Sequence, residues 1–134
     1  MKYYRTMSLL LALTFVVVGF IFLFLADGVL EFFNSVATLV GMKAAPVDGV
    51  NFYLILATGY MYLVSLLAFL MFRQPKNPDF PLLLTHAKLA SSVLSLGFFL
   101  CHQPYLIYLT NCLVDGSIGG LVLLFYLQIK KSQQ

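Results

Sequence analysis

Residues 9–26 read LLLALTFVVVGFIFLFLA, a run without a single charged side chain. Taken from about Met7 to Ala26, the stretch has the roughly 20 apolar residues that a helix needs to cross a hydrocarbon core about 30 Å thick. Lipid offers no partner for backbone N–H and C=O groups, so such a run must close its hydrogen bonds internally as a helix. Lys2 and Arg5 in front of it resemble the basic start of a secretory signal. The apolar stretch, however, exceeds the usual 7–15 residues, and Phe24-Leu25-Ala26 is a poor small-residue cleavage site. A retained membrane helix is therefore expected.

Three more runs of the same kind follow, at about Val50–Phe72, Leu82–Cys101 and Tyr105–Ile129. Turn-forming residues separate them. Asp48 and Gly49 after Pro46 can cap the second run, and Asn77-Pro78-Asp79-Phe80-Pro81 divides the second from the third. Pro104 falls where the first turn of a helix tolerates a missing N–H. The third and fourth runs are joined by His102-Gln103-Pro104 alone, which makes them antiparallel neighbours. The expected fold is all-α, a single transmembrane domain over residues 1–134 built as a polytopic four-helix bundle.

Composition agrees. Of the 134 residues, 61% are hydrophobic and 10% charged, and the mean hydropathy is +0.94, whereas a soluble domain carries about a quarter charged residues. The lipid bilayer is the expected partner. The net charge of +3 does not suggest nucleic acid, because the basic residues form no patch and instead punctuate the apolar runs. Lys2 and Arg5 precede the first run, Arg73 and Lys76 lie between the second and third, and Lys130 and Lys131 end the chain. Only Lys43 falls on the other side, beside Asp27, Glu31 and Asp48. Lysine and arginine accumulate in cytoplasmic loops, so both termini are expected inside. The short, compact chain suggests a bacterial cytoplasmic membrane.

Between the first two runs, residues 29–42 behave differently. Val29, Phe33, Val36 and Val40 recur at helical spacing among the polar Glu31, Asn34, Ser35 and Thr38. The segment is too short and too polar to span, and reads as an amphipathic helix on the outer face. The alternative is a loop with scattered apolar residues.

Ionisable groups at membrane depth are costly and mark functional positions by default. Asp115 lies about 15 Å into the fourth run and Lys88 about 9 Å into the third. Asn111 and Tyr108 share the face of Asp115, while Gly116, Gly119 and Gly120 provide small residues for close helix contact. On the third run Thr85, Lys88, Ser92, Ser95, Phe99 and His102 form a stripe, and Ala87, Ser91 and Ser95 a small-residue ladder. On the second, Asn51, Ile55, Thr58, Tyr62, Ser65 and Phe69 follow the same spacing. Tyr60 and Tyr62 lie near mid-depth, where a phenol needs a partner. Asp115, Asn111, Tyr60, Tyr62, Lys88, Ser92 and Ser95 are thus the candidate ligand-binding residues. Gly116, Gly119, Gly120, Ala87 and Ser91 are the candidate helix contacts. Asp115 is read either as a structural polar lock or as a binding group. Lys88 is read either as snorkelling to the inner interface or as reaching toward Asp115 across an axial gap of about 10 Å, too wide for a direct ion pair without helix tilt or a bridging water.

No catalytic set emerges. The serines have no base nearby in sequence, and there is no GxSxG elbow, phosphate loop or pair of carboxylates. Cys101 and Cys112 have neither CxxC spacing nor enough partners for zinc. His86 and His102 lie about 24 Å apart on one helix, which excludes a bis-histidine haem within the chain. No metal or cofactor is identified. A lipid or quinone is the candidate ligand.

The layout resembles the DoxX-like group of small four-helix membrane proteins. The likeness rests on a first span followed by an amphipathic segment, on Phe52-Tyr53 through Gly59-Tyr60, and on Val114-Asp115-Gly116. The arginine-plus-glycine features of that group's second and third spans are missing or replaced. The resemblance implies a helical bundle, in a group whose members include subunits of quinone-linked oxidoreductases. Two functions are expected on this reading. The first is an accessory or assembly subunit of a larger membrane complex, held by helix contacts with other membrane subunits or with copies of itself. The second is a binding or transport protein for a lipid, quinone or small hydrophobic ligand around Asp115. An enzyme acting on such molecules would need a partner to supply a nucleophile or redox centre.

Overall fold

The computed structural model describes residues 2–48 and 51–133. Gly49 and Val50, where the cap and start of the second span are expected, lie outside them. Five helices follow in order: α1 (Lys2–Phe24), α2 (Ala26–Leu39), α3 (Asn51–Arg73), α4 (Asp79–Cys101) and α5 (Leu106–Lys131). All but α2 are long and apolar enough to cross a membrane. The described structure is helical throughout, and it is compatible with an integral membrane protein.

The ends of the helices follow from local chemistry. Only Leu25 separates α1 from α2. Its N–H donates to the Ile21 carbonyl and its own carbonyl accepts from Val29 N–H, so the chain bends without a loop. Asp27 in the first turn of α2 faces the positive end of that helix's dipole. α2 stops at Gly41, whose φ of +73° is a conformation that costs glycine little. Met42 N–H then donates to Ala37 O at 2.8 Å and Gly41 N–H to Thr38 O at 3.2 Å, the paired bonds of a Schellman ending. The Asn34 amide holds the chain beyond, donating to Ala45 O at 2.9 Å and accepting from Ala45 N–H at 2.7 Å. The helix thus begins and ends about three residues earlier than the pattern of residues 29–42 predicts. Val40 is its exposed cap and not part of an apolar face.

Asn77 Oδ1 accepts from Asp79 N–H at 2.9 Å at the start of α4. Pro81 sits in the first turn, where its missing N–H has no helical partner to lose. α5 begins two residues after Pro104, with Tyr105 as its extended N-cap, so the proline stands just before the helix and not in its first turn.

α1 packs along α3, and α4 along α5; the two pairs meet where α3 touches α4, and α2 touches both α1 and α5. The termini, the end of α3 and the start of α4 therefore share one end of the bundle, with α2 at the other. Burial is concentrated in the termini half. Leu11, Phe15, Val64, Met71, Leu84, Val122 and Phe125 are buried there, and the Tyr4 ring meets Phe125 edge-on at 5.3 Å. On α3 the buried face is Met61, Val64, Ala68 and Met71. The expected stripe is split: Ser65 is buried and Thr58 half-buried, whereas Ile55 and Tyr62 are each 71% exposed and Phe69 is exposed as well. α1 comes close to the buried face at Gly19, where a Cβ would stand 3.2 Å from Met61 Cβ.

Outward faces elsewhere are also apolar. Leu13, Phe20, Leu63, Val93, Leu100 and Leu124 are exposed, a surface suited to bilayer contact and too apolar for water. Between α4 and α5, Gly119 removes the obstacle to close approach, because a Cβ there would stand 2.9 Å from Leu89 Cδ2 and 3.4 Å from Leu89 N. Gly116 plays the same part against Ser92, with a Cβ 2.9 Å from Oγ. Gly120, expected to share this role, has nothing within 4 Å of its Cβ position. Gly119→Val should therefore lower stability by about 1–3 kcal/mol through overpacking. Gly120→Ala should lose nothing and gain up to about 1 kcal/mol of helix propensity. Thermal unfolding in mild detergent, followed by far-UV circular dichroism, distinguishes the two.

Candidate functional site

The register of α4 against α5 brings the polar residues together. Ser92 Oγ donates to the Cys112 carbonyl at 2.7 Å and lies beside Gly116. Asn111 Nδ2 donates to Ser95 Oγ at 2.7 Å and to Ser91 Oγ at 3.1 Å. Ser92 is thus level with residues 112–116, and Lys88 lies one turn, about 6 Å, nearer the termini. A lysine stem covers that offset. Lys88 Nζ reaches Asp115 Oδ1 at 2.8 Å, with side-chain exposures of 3% and 7%. This corrects the expectation of a gap too wide for a direct ion pair, and with it the snorkelling reading. Depths counted from the ends of apolar runs give each residue's height on its own helix, whereas the offset across an antiparallel pair is fixed by the contacts between them.

The ammonium is flanked by two aromatic rings. It stands 4.5 Å from the centroid of the Phe15 ring and 5.2 Å from that of Tyr60, both within reach of a cation–π attraction. Tyr60 OH donates to the Ala87 carbonyl at 3.1 Å, which holds its ring in place. Phe15 was invisible to sequence reasoning, since no polar neighbour in the chain singles it out among thirteen phenylalanines. A usable signal existed in the small residues Ser8, Ala12 and Gly19, all buried on α1 and spaced from Phe15 by seven, three and four. They mark the face on which α1 approaches the bundle.

Above the ion pair, on the α2 side, the bundle is not filled. A cavity of about 370 Å³ has Lys88, Asp115, Asn111, Ser91 and Tyr60 at its polar end. Its walls include Val18 and Phe22 of α1, Phe33 of α2, Ala57 of α3, and Ile107, Val114 and Ile118 of α5. Five of the candidate residues therefore meet in one place, Ser91 among them, although it was expected as a helix contact. Ser95 supports Asn111 from the other side. Ser92 is committed to the α5 backbone and does not line the cavity. Ala87 acts through its carbonyl. Tyr62 is not brought to the site; it lines a separate groove of about 240 Å³ between α1 and α3, together with Phe20, Thr58 and Ser65 and no charged group.

The two histidines are exposed near opposite ends of α4, and Cys101 and Cys112 are free thiols. Ser91 and Ser95 are bonded to an amide and not to a base. The polar end can accept and donate hydrogen bonds and can orient a guest; it holds no nucleophile–base pair. No family model matches the chain, and no curated protein or solved structure is significantly similar to it.

Breaking a buried pair by removing one partner leaves an uncompensated charge, at a cost of about 3–5 kcal/mol, while replacing both by apolar groups is often neutral. Lys88→Met and Asp115→Leu should each destabilise by an amount of that order, and the double variant should recover most of the loss. A double-mutant cycle by denaturant unfolding in detergent measures this; additive losses would show that the pair is not coupled.

Proposed function

We propose that this chain is a membrane protein that binds or carries a lipid, quinone or other small amphiphile, with the guest's polar end at Lys88 and Asp115. The carrying observation is the void beside the pair. Protein interiors are close-packed, and an ion pair that served only to lock α4 to α5 would need no space next to it. A volume of about 370 Å³ falls within the range of about 300–1,000 Å³ typical of ligand pockets. Apolar walls with a few convergent polar groups are the usual form of such a site.

The membrane is read as a bacterial cytoplasmic one. α2 lies at its outer surface, apolar side down, and both termini are cytoplasmic. Six basic residues at one end of the bundle support that orientation: Lys2, Arg5, Arg73, Lys76, Lys130 and Lys131. In intact cells of a Cys101→Ser, Cys112→Ser background, a cysteine placed at Lys43 should react with an impermeant maleimide, and one placed at Lys131 should react only after lysis. A role as an accessory subunit draws on glycine and serine faces for helix contacts, and Gly116, Gly119, Ser91 and Ser95 meet partners between α4 and α5 of this same chain.

Extraction in mild detergent followed by native mass spectrometry should show the chain carrying an additional mass of lipid or quinone size. Ala57→Phe, which places a ring in the cavity, should abolish that mass while preserving the helical circular dichroism spectrum. A chain that is empty in every preparation, or a bound mass indifferent to Ala57→Phe, would sink the reading.

A further inference from the structure

Charge occurs at one place inside the bundle. The remaining lysines, arginines and acids of the described helices stand near the ends of the four long helices or, as Asp27 and Glu31, on α2, and Lys88 and Asp115 alone are buried. The two are joined at 2.8 Å, and the formal charges of the ion pair sum to zero. Among the cavity-lining residues the other ionisable group is Tyr60, whose hydroxyl is donated to the Ala87 carbonyl.

That balance discriminates between guests. A cationic headgroup would need the carboxylate of Asp115, which Lys88 already holds. Lys88 is itself held there by the rings of Phe15 and Tyr60 that flank its ammonium. An anionic headgroup would draw on Lys88 and leave Asp115 without its partner. In either case one unit of charge is added to a largely apolar pocket whose own two charges are already paired, which is the costly arrangement. An uncharged polar group meets no such penalty. The ion pair uses one of the three ammonium donors and one of the roughly four lone-pair sites of the carboxylate. Ser91 and Asn111 lie along the same edge of the cavity.

We propose that the cavity selects uncharged amphiphiles whose headgroup is a carbonyl or hydroxyl, and rejects cationic and anionic ones of the same chain length. The paired charges act as a polar surface of zero net charge that hydrogen-bonds the headgroup, and the apolar walls receive the start of the tail. This rests on the reading of the cavity as a ligand site. Both an isoprenoid-type quinone and a lipid hydroxyl have the required chemistry.

The test uses the intact wild-type chain in a non-ionic detergent, with native mass spectrometry at matched probe concentrations. The probes are a decyl-substituted benzoquinone, decanol, decyltrimethylammonium and decanesulfonate. The last two carry permanent charges, so protonation cannot disguise them. The expected result is one equivalent of the quinone or of decanol, displaced by Ala57→Phe, with both ions bound at least roughly tenfold more weakly. Retention of the quinone alone or of the alcohol alone assigns the source of the headgroup. Binding of either ion with an affinity equal to the neutral probes overturns the selectivity and leaves the ligand site standing. Failure of all four probes overturns the site as well.

Discussion

A lysine and an aspartate in the middle of an apolar bundle can be tolerated only together, and most of the architecture of this protein serves that requirement. The 2.8 Å contact between Lys88 and Asp115 demands a particular register of α4 on α5. Gly116 and Gly119 permit the close approach, and the Ser92 hydroxyl on the Cys112 carbonyl and the Asn111 amide on two serines hold the register. The other helix pair supplies Phe15 and Tyr60, whose rings flank the ammonium. Four helices thus contribute to a single charge balance, which explains why α1, with no polar residue at that depth other than Thr14, still belongs to the site.

The pair also marks a boundary along the bundle axis. Toward the termini the interior is filled by methionine, leucine, valine and phenylalanine, several of them with no exposed surface. Toward α2 the same helices line open space. Packed and hollow halves have different mechanical consequences. The filled half fixes helix positions and therefore the geometry of the ion pair, while the hollow half keeps freedom to accommodate a guest. α2 contributes Phe33 to the wall of the cavity; it continues α1 through the hydrogen bonds across Leu25, and Asn34 holds the segment that follows it by two bonds to Ala45.

The four long helices were legible because length and hydropathy alone decide them, and the polar cluster because ionisable residues at membrane depth are rare enough to stand out. Asp115, Asn111, Lys88 and Tyr60 could be named without coordinates for that reason. What sequence could not supply was rotation and offset. Tyr62 was placed with Tyr60 although two residues apart on a helix means roughly opposite faces, and the stripe on α3 joined residues that the structure divides between buried and exposed. Lys88 was judged too far from Asp115 because helix rise measures height along one helix and says nothing of how its neighbour slides. Phe15 was missed because a ring that faces a cation looks, in sequence, like any other phenylalanine.

The tight turn between α4 and α5 has a bearing on how such a chain enters a bilayer. Insertion scales put a lysine or an aspartate at the centre of a lone helix at about 2.5–3.5 kcal/mol unfavourable, so neither helix is well suited to partition alone. Only residues 102–105 separate them, a connection short enough for the two to arrive as one hairpin with the charges already joined. A ribosome that has completed α4 has made a helix with an unanswered lysine. The answer lies 27 residues further on, and the last quarter of the chain is therefore what commits the third span to the membrane.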